Sequence, residues 1–498
     1  MGESKSLKQK TMSGLFWSFT ELMANHGIQF LIQIFLARIL LPEHFGIIGM
    51  IIVFIAISES VVDSGFTQAL IRDQETSQVD YSTVFYFNIL IALVMYSVLF
   101  VVAPTISSFF QEPQLTNIVR TLALVLIINS FGIVQKVMLI KKVDFKKITK
   151  ISFTAVTISG VITITLAVLG FGVWSLVLNM ILIKFIQALL LCLFNRWFPS
   201  FVFSVQSFKK FFKFGYKLLI SGLIDTFYNN LYFLIIGRLY SPSQLGFYTN
   251  ANKVRDLASQ SVAAAVQRVS YPVLSKMQDN ATRLKANYQK IVKMSAYINF
   301  PLLIGLAAIA HPLFNLIFGE KWMPSVIYFQ LLCLAGMLYP LHAVNLNILQ
   351  VKGRSDLFLL IEIIKKAILT VLIVLSLVLK LGIIGLICAA VLNSYISLFI
   401  NTYFSAKEID YSTRDQIKDI SPIFAISVTM GIIVYYVGHI LPLGNVSILV
   451  CQILLGIFVY VLLSKLARIY ELGTLYKMLM TEKVKMKLVS LKINLKRS

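Results

Sequence analysis

Long apolar runs, separated by short loops that carry most of the charge, follow one another along the whole chain. About 20 predominantly apolar residues suffice for a helix to cross a bilayer, and fourteen runs reach that length. The predicted spans lie near residues 12–36, 43–63, 82–109, 115–137, 148–168, 171–194, 212–237, 243–270, 288–318, 324–351, 356–379, 383–405, 418–438 and 446–467. The pattern therefore predicts an all-α polytopic membrane protein with fourteen transmembrane helices.

The composition supports this fold class. Hydrophobic residues make up 58% of the 498 positions and charged residues only 13%, whereas a soluble domain has about 25% charged residues. All four cysteines lie inside apolar runs without C-x-x-C spacing, so neither a disulfide nor a metal site is expected. These cysteines are Cys192, Cys333, Cys388 and Cys451.

The basic residues predict the orientation of the spans. The net charge is +23, which in a soluble protein would suggest a nucleic-acid partner. Here the cations concentrate in short loops, as in the cytoplasmic loops of membrane proteins, and no nucleic-acid partner is expected. With both chain ends in the cytoplasm, the outer loops hold only Arg38, Arg238, Lys321 and Lys380. We therefore predict an N-in, C-in topology, without a loop long enough for a catalytic domain.

A nine-residue motif recurs two hundred positions apart. Residues 38–46 read R-I-L-L-P-E-H-F-G and residues 238–246 read R-L-Y-S-P-S-Q-L-G. The shared positions are Arg38, Pro42 and Gly46 in the first copy and Arg238, Pro242 and Gly246 in the second. We interpret them as a repeat and gate motif at the outer surface; the alternative is a common hairpin connection. The repeat predicts two six-helix lobes related by a pseudo-two-fold axis along the membrane normal, as in transporters that alternate access.

The repeat also predicts the domain boundaries. The N-terminal lobe comprises residues 1–194 with spans 1–6, and a cytoplasmic linker follows at 195–211. The C-terminal lobe comprises residues 212–405 with spans 7–12. Two further spans occupy residues 406–467, and a basic cytoplasmic tail occupies residues 468–498.

Polar side chains form a stripe on one span of each lobe. Glu21, Asn25 and Gln29 are spaced by four on span 1, so they share a helix face. Asp225 and Asn229 form the counterpart on span 7. We expect the two stripes to line a central cavity; the alternative is that they hydrogen-bond neighbouring helices.

Four cations lie at membrane depth, where an uncompensated charge is costly and suggests a functional role. They are Lys253 and Arg255 on span 8, Lys184 on span 6 and Lys365 on span 11. We predict that they bind an anionic substrate. Lys253 and Arg255 point to different helix faces, so one could line the cavity while the other pairs with Asp256. Lys365 could instead extend to the inner headgroups.

Signatures of catalysis are missing from the sequence. There is no G-x-x-x-x-G-K-[ST] phosphate loop, no G-x-S-x-G nucleophile motif and no H-E-x-x-H zinc motif. We therefore expect a protein that is not an enzyme and that uses no cofactor and no metal.

Six short segments along the chain form a recognisable series. They are L-A-R-I-L-L-P-E-H-F-G at Leu36–Gly46, D-S-G-F at Asp63–Phe66, A-P-T-I-S-S-F-F at Ala103–Phe110, Y-P-V-L-S at Tyr271–Ser275, F-G-E-K-W at Phe318–Trp322 and the Asn345–Gly353 segment. In their order and spacing they resemble the Wzx-type oligosaccharide flippases, on the colanic-acid and teichuronic-acid exporter branch of the multidrug/oligosaccharidyl-lipid/polysaccharide exporter superfamily. The resemblance spans about residues 7–410.

The resemblance implies a fourteen-span, two-lobe transporter in the bacterial cytoplasmic membrane. Its substrate would be an undecaprenyl-pyrophosphate-linked oligosaccharide, and Lys253 and Arg255 match best the basic residues that hold it. Membrane lipids and other polysaccharide assembly proteins are the expected partners. Two alternatives remain: a cation-coupled multidrug antiporter of the same fold, and a membrane-embedded polysaccharide polymerase or ligase. An antiporter for cationic drugs would favour acidic cavity residues. Here the acidic residues inside the predicted spans, Glu21, Asp225, Asp256 and Glu362, are matched by a similar number of cations.

Overall fold

The apolar runs fold into α-helices because the hydrocarbon core offers no water to the backbone N–H and C=O groups. The computed structural model describes residues 25–442 and 444–477, and this part of the chain contains no β-strand. The predicted all-α fold class is therefore confirmed for the described residues.

The first ten helices extend from the first predicted span to the eighth. Helix α1 covers 25–39, the described part of span 1. The others are α2 (Pro42–Asp63), α3 (Phe66–Arg72), α4 (Gln78–Phe110), α5 (Leu115–Leu122), α6 (Leu124–Lys141), α7 (Phe145–Val168), α8 (Val173–Asn195), α9 (Val205–Leu239) and α10 (Pro242–Ser275). Helices α5 and α6 together form the fourth predicted span, which is interrupted at Ala123.

The remaining helices extend from the ninth predicted span to the fourteenth. They are α11 (Ala281–Ala308), α12 (Ala310–Ile317), α13 (Ser325–Gly336), α14 (Tyr339–Val351), α15 (Ser355–Val378), α16 (Gly382–Ile409), α17 (Thr413–Ile440) and α18 (Asn445–Leu466), with a short 3-10 turn at Glu320–Trp322 before α13.

Eleven helical segments of the described chain are long and apolar enough to cross a membrane. Three predicted spans are not among them. Span 1 extends into residues outside the described part, α10 is rich in polar side chains, and α15 carries charges in its first half. The number of fourteen spans and the cytoplasmic location of both chain ends stay predictions.

Side-chain caps define where several helices begin. Ser77 caps α4 in a reciprocal arrangement, because its hydroxyl accepts from the Asp80 N–H while the Asp80 carboxylate accepts from the Ser77 N–H at 2.9 Å. Asp144 caps α7 and Ser204 caps α9 with one bond each, which the side chain accepts from the backbone N–H three residues later. Such caps supply partners for the first backbone donors of a helix, which have none within it.

Residues 1–250 form one of two compact units. Within it α2 packs along α9, and α6 and α7 pack against α8. An apolar core lies where α3, α4, α6 and α9 meet, and it consists of Phe66, Ala69, Leu70, Val84, Phe85, Val134, Val137 and Phe211. Helix α9 begins at Val205, inside the segment predicted as a linker.

Residues 251–498 form the second unit. Helix α11 packs along α17, α15 packs along α16, and α17 packs along α18. A buried polar triad joins three helices of this unit: Asn345 Oδ1 on α14 accepts from the Tyr288 hydroxyl of α11 at 2.7 Å and from the Ser405 hydroxyl of α16 at 2.6 Å. The lobe boundaries expected from the repeat stay a prediction.

Candidate translocation site

The two basic residues of α10 have different surroundings. Lys253 follows Pro242, the first residue of α10, by eleven positions. At 1.5 Å per residue this is about 17 Å along the helix. With Pro242 at the outer boundary, as the sequence predicts, this position would be near the middle of a hydrocarbon core of about 30 Å. The Lys253 side chain is exposed, and no ion pair joins it to another residue that the structure describes. Its depth in the membrane stays a prediction.

Arg255, by contrast, is 5% exposed and is held by neighbours within its own unit. Its Nε lies 3.1 Å from Asp256 Oδ1, and the guanidinium donates to the Asn252 side chain and the Tyr339 hydroxyl. The guanidinium also lies over the Tyr339 ring, 5.0 Å from its centroid. Of the two arrangements left open by the sequence, the structure therefore pairs Arg255 with Asp256 and leaves Lys253 exposed.

Lys365 pairs within its own helix. Its Nζ lies 2.5 Å from Glu362 Oε1, one turn earlier on α15, and both side chains are largely buried. A pair separated by three positions lies on one helix face. The carboxylate offsets the charge that the sequence assigned to anion binding.

Lys184 pairs with a residue that the sequence analysis missed. Its Nζ on α8 lies 2.9 Å from Glu59 Oε1 on α2 and 3.5 Å from Asn129 Oδ1 on α6. Both charged side chains are about one-third exposed. Glu59 lies near the C-terminal end of α2, in a largely apolar run, and a carboxylate in such a run is a signal that could have identified it.

The structure describes only part of the predicted polar stripes. Glu21 lies outside the described residues. Asn25 has a buried amide oxygen without a hydrogen-bond partner in the described chain, and Gln29 is exposed. On α9, Asp225 and Asn229 are both exposed and lie one turn apart. That the two stripes face each other across a cavity stays a prediction.

Span 1 makes a polar contact that the sequence did not indicate. The Gln33 side-chain amide of α1 donates to Asn250 Oδ1 of α10 at 2.6 Å. Asn250 is completely buried. A buried amide is costly without a partner, so this bond determines which face of α1 meets α10.

The two copies of the repeat motif lie against each other within the first unit. A Cβ added at Gly46 would lie 1.8 Å from the carbonyl oxygen of Pro242, and one added at Gly246 would lie 1.9 Å from the carbonyl oxygen of Pro42. The first turns of α2 and α10 thus touch backbone to backbone, and only glycine permits this approach. The contact is reciprocal, as a local two-fold axis requires.

The arginines of the motif lie at the ends of the preceding helices. Arg38 and Arg238 are both exposed. The Arg238 guanidinium lies 5.3 Å from the centroid of the Phe109 ring. Cation–π contacts of this kind occur at exposed sites and position an arginine without a carboxylate.

No group of three or more His, Cys, Asp or Glu side chains within the described ranges has metal-binding geometry. The cysteines at 192, 333, 388 and 451 are unpaired thiols in the structure. The described residues bring together ion pairs within apolar helices and a glycine-mediated helix crossing.

The described helices define a class: all-helical proteins with many segments long and apolar enough to cross a membrane. The sequence profile of the polysaccharide biosynthesis protein family matches residues 35–327. This is more than half of the chain, and the chain belongs to that family. The resemblance seen in the sequence is confirmed.

Characterised relatives cover most of the chain. The teichuronic acid biosynthesis protein TuaB of Bacillus subtilis is 28% identical over 71% of this chain and 73% of its own length. The lipopolysaccharide biosynthesis protein WzxC of Escherichia coli is 27% identical over 71% of this chain and 72% of its own length. The succinoglycan biosynthesis transport protein ExoT of Rhizobium meliloti is 27% identical over 65% of this chain and 66% of its own length.

Solved structures share the fold. The lipid II flippase MurJ in an inward closed conformation superposes with a TM-score of 0.72 over 91% of this chain and 98% of its own, at 15% identity. An inward-facing multidrug resistance transporter of the MATE family superposes with a TM-score of 0.61 over 78% and 94%, respectively, at 15% identity. The chain is a multi-pass helical membrane protein of the polysaccharide biosynthesis family.

Proposed function

We propose that the protein is a flippase that moves undecaprenyl-pyrophosphate-linked oligosaccharide repeat units across the bacterial cytoplasmic membrane by alternating access. The units would then be assembled into surface polysaccharide. The observation that carries the proposal is Lys253, an exposed cation without an ion-pair partner in the described chain. Its predicted position is near mid-membrane. A charge in that position requires water or an anionic ligand, and a lipid-linked diphosphate supplies the anion.

The four candidate cations take different roles in this proposal. Lys253 contacts the diphosphate directly. Lys184 and Lys365 each have a carboxylate partner, at 2.9 Å and 2.5 Å, so they bind the substrate only when that partner is displaced. Arg255 is buried and paired with Asp256, which favours a role in positioning α10. The exposed amide and carboxylate groups of the polar stripes, such as Gln29 and Asn229, hydrogen-bond sugar hydroxyls.

The motif crossing acts as the outer gate in this proposal. Alternating access requires the outer side to close while the inner side is open. The first turns of α2 and α10 lie at the predicted outer surface, and the contacts at Gly46 and Gly246 leave no space between them. Separation of these two turns would open the cavity to the outside.

The multidrug antiporter remains the alternative, and the carboxylates argue against it. A transporter of cationic drugs needs acidic groups that are available in its cavity. Here Glu59, Asp256 and Glu362 each lie within 3.1 Å of a cationic side chain, whereas Asp225 is exposed on the polar stripe of α9. We therefore favour an anionic substrate, and a role without catalysis agrees with relatives that are named as transport and biosynthesis proteins.

The test is the leaflet distribution of lipid-linked oligosaccharide in a strain that lacks the gene. Intermediates should accumulate in the inner leaflet and should be released by the intact protein and by Lys253→Arg, which keeps the charge. Lys253→Met, of similar length but neutral, should leave them trapped at unchanged protein levels. Normal outer-leaflet intermediates with Lys253→Met would refute the anion site, and normal intermediates in the deletion strain would refute the flippase.

A further inference from the structure

The segment between α8 and α9 is firmly attached to the first unit. We name residues 196–204 the strap. The Ser200 N–H donates to the Ser82 hydroxyl at 2.9 Å, and the Ser204 N–H donates to the Thr83 hydroxyl at 3.0 Å. Both acceptors lie in the first turns of α4. The strap is therefore an ordered structural element at the start of α4.

A tryptophan anchors the beginning of the strap. The Trp197 indole N–H donates to Gln78 Oε1 at 2.6 Å, and its carbonyl oxygen accepts from Gln135 Nε2 at 2.9 Å. Its ring lies against Phe85 and Tyr81, with centroids 5.8 Å and 6.3 Å away. With Trp197 packed inward, its neighbours on the extended segment turn outward.

These outward side chains are phenylalanines. Phe198 is 78% exposed, Phe201 is 98% exposed and Phe203 is 50% exposed. They lie outside every predicted span, so contact between a transmembrane helix and the hydrocarbon core does not account for them. Adjacent exposed aromatic side chains mark a surface that meets a partner or a membrane, and aromatic rings are enriched at the headgroup level of bilayers.

Exposed cations flank the phenylalanines. Arg196, Lys209 and Lys213 are exposed. None of them forms an ion pair with a residue that the structure describes. The nearby acidic residue Asp73 is already engaged: a hydrogen bond from the Lys210 ammonium holds the pKa of the Asp73 carboxyl below its usual range. The surface around the strap therefore carries uncompensated positive charge.

The length of α9 places this surface at the membrane boundary. The helix has 35 residues, which at 1.5 Å per residue is about 52 Å and exceeds the hydrocarbon thickness of about 30 Å. A tilt of about 20° changes this little. The first turns of α9, with Lys209 and Lys213, therefore extend into the headgroup region.

We propose that the strap is an inner-leaflet anchor that binds anionic phospholipid. Phe198, Phe201 and Phe203 insert at the boundary between headgroups and acyl chains. Arg196, Lys209 and Lys213 bind the lipid phosphates. The proposal is independent of the transport activity and commits to lipid as the occupant of this surface.

The test uses a cysteine-free variant of the full chain with one new cysteine, Phe201→Cys, labelled with the fluorophore NBD. The protein is reconstituted in nanodiscs of phosphatidylcholine, with or without phosphatidylglycerol. NBD at position 201 should show blue-shifted emission and quenching by acyl-chain spin-labelled lipid. The control Glu75→Cys, exposed in the loop between α3 and α4, should show neither.

The charged part of the surface is tested with the same reporter. Spin-labelled phosphatidylglycerol should quench more than spin-labelled phosphatidylcholine. Each basic residue near an anionic surface contributes about a five-fold factor, so Lys209→Gln with Lys213→Gln should reduce the preference about 25-fold. The pair Lys209→Arg with Lys213→Arg should retain it.

Three outcomes would overturn the proposal. Emission typical of water in both lipid compositions would mean that the strap is not inserted. Blue-shifted emission without lipid quenching would mean that protein covers the strap. Equal quenching by both lipids in the unaltered cation background would mean that the cations do not select anionic lipid.

Discussion

The glycine crossing between α2 and α10 leads to a quantitative prediction for Gly46→Ala. The new Cβ would lie 1.8 Å from the Pro242 carbonyl oxygen, whereas close C···O contacts have a distance of about 3.3 Å. The two helix turns must therefore separate by about 1.5 Å. The obstacle is the carbonyl group of Pro242, which belongs to the backbone, so a change of rotamer cannot relieve the clash.

The energy follows from overpacking, which costs about 1–3 kcal/mol. If the crossing forms only when the outer side is closed, this cost applies to the closed state alone and leaves the open state unaffected. A difference of about 1–3 kcal/mol changes the ratio of the two states about 5- to 150-fold. Gly246→Ala should act in the same direction, because its Cβ would lie 1.9 Å from the Pro42 carbonyl oxygen.

The assay is labelling from the outside with a membrane-impermeant maleimide. The reporter is Gln29→Cys on the predicted cavity stripe, in the cysteine-free background. Gly46→Ala should increase the labelling rate and slow transport. The matched control is Gly305→Ala, also inside a helix, where the new Cβ would meet only the Met430 terminal methyl at 3.6 Å, an ordinary contact. The gate would be refuted if Gly46→Ala had the same labelling rate and the same transport rate as Gly305→Ala.

Two further predictions concern the ion pairs. Glu59→Gln leaves Lys184 without its counter-ion, and Lys184→Met in that background removes the uncompensated charge. A double-mutant cycle of thermal stability in detergent should therefore give a coupling free energy of about 0.5–3 kcal/mol. Additive effects of the two substitutions would contradict the pair. Arg255→Met removes the buried guanidinium and its hydrogen bonds to Asn252 and Tyr339, which should lower stability by about 1–3 kcal/mol. Lys253→Met should leave the melting temperature unchanged. Equal stability of the two variants would contradict their different roles.

The helical segments could be predicted from the sequence because apolar periodicity and length are local properties. Most predicted spans match a described helix to within a few residues at each end. The mismatches have local causes too: Ser204 caps α9 and extends it into the predicted linker, and the fourth span is interrupted at Ala123. The repeat motif was also visible, since its spacing is a property of the sequence alone.

The partners of the charged residues could not be predicted from the sequence. Lys184 and Glu59 are separated by 125 positions, and no local pattern relates them. Asp256 was recognised as a partner because it lies next to Arg255, whereas Tyr339, 84 positions away, was not. The sequence made all four cations candidates for anion binding and left alternatives open for Lys253, Arg255 and Lys365, because it reveals the cost of a buried charge and not which neighbour compensates it.

By itself the sequence determined an all-helical membrane protein with an internal repeat and charges inside its apolar runs, because span length, charge placement and motif spacing are local properties of the chain. The tertiary structure alone decided that Gly46 and Gly246 meet, that Glu59 holds Lys184 and that the strap turns its phenylalanines outward. These features depend on how helices distant in sequence pack together. Packing is decided by the close fit of many side chains at once, and no single segment encodes that fit.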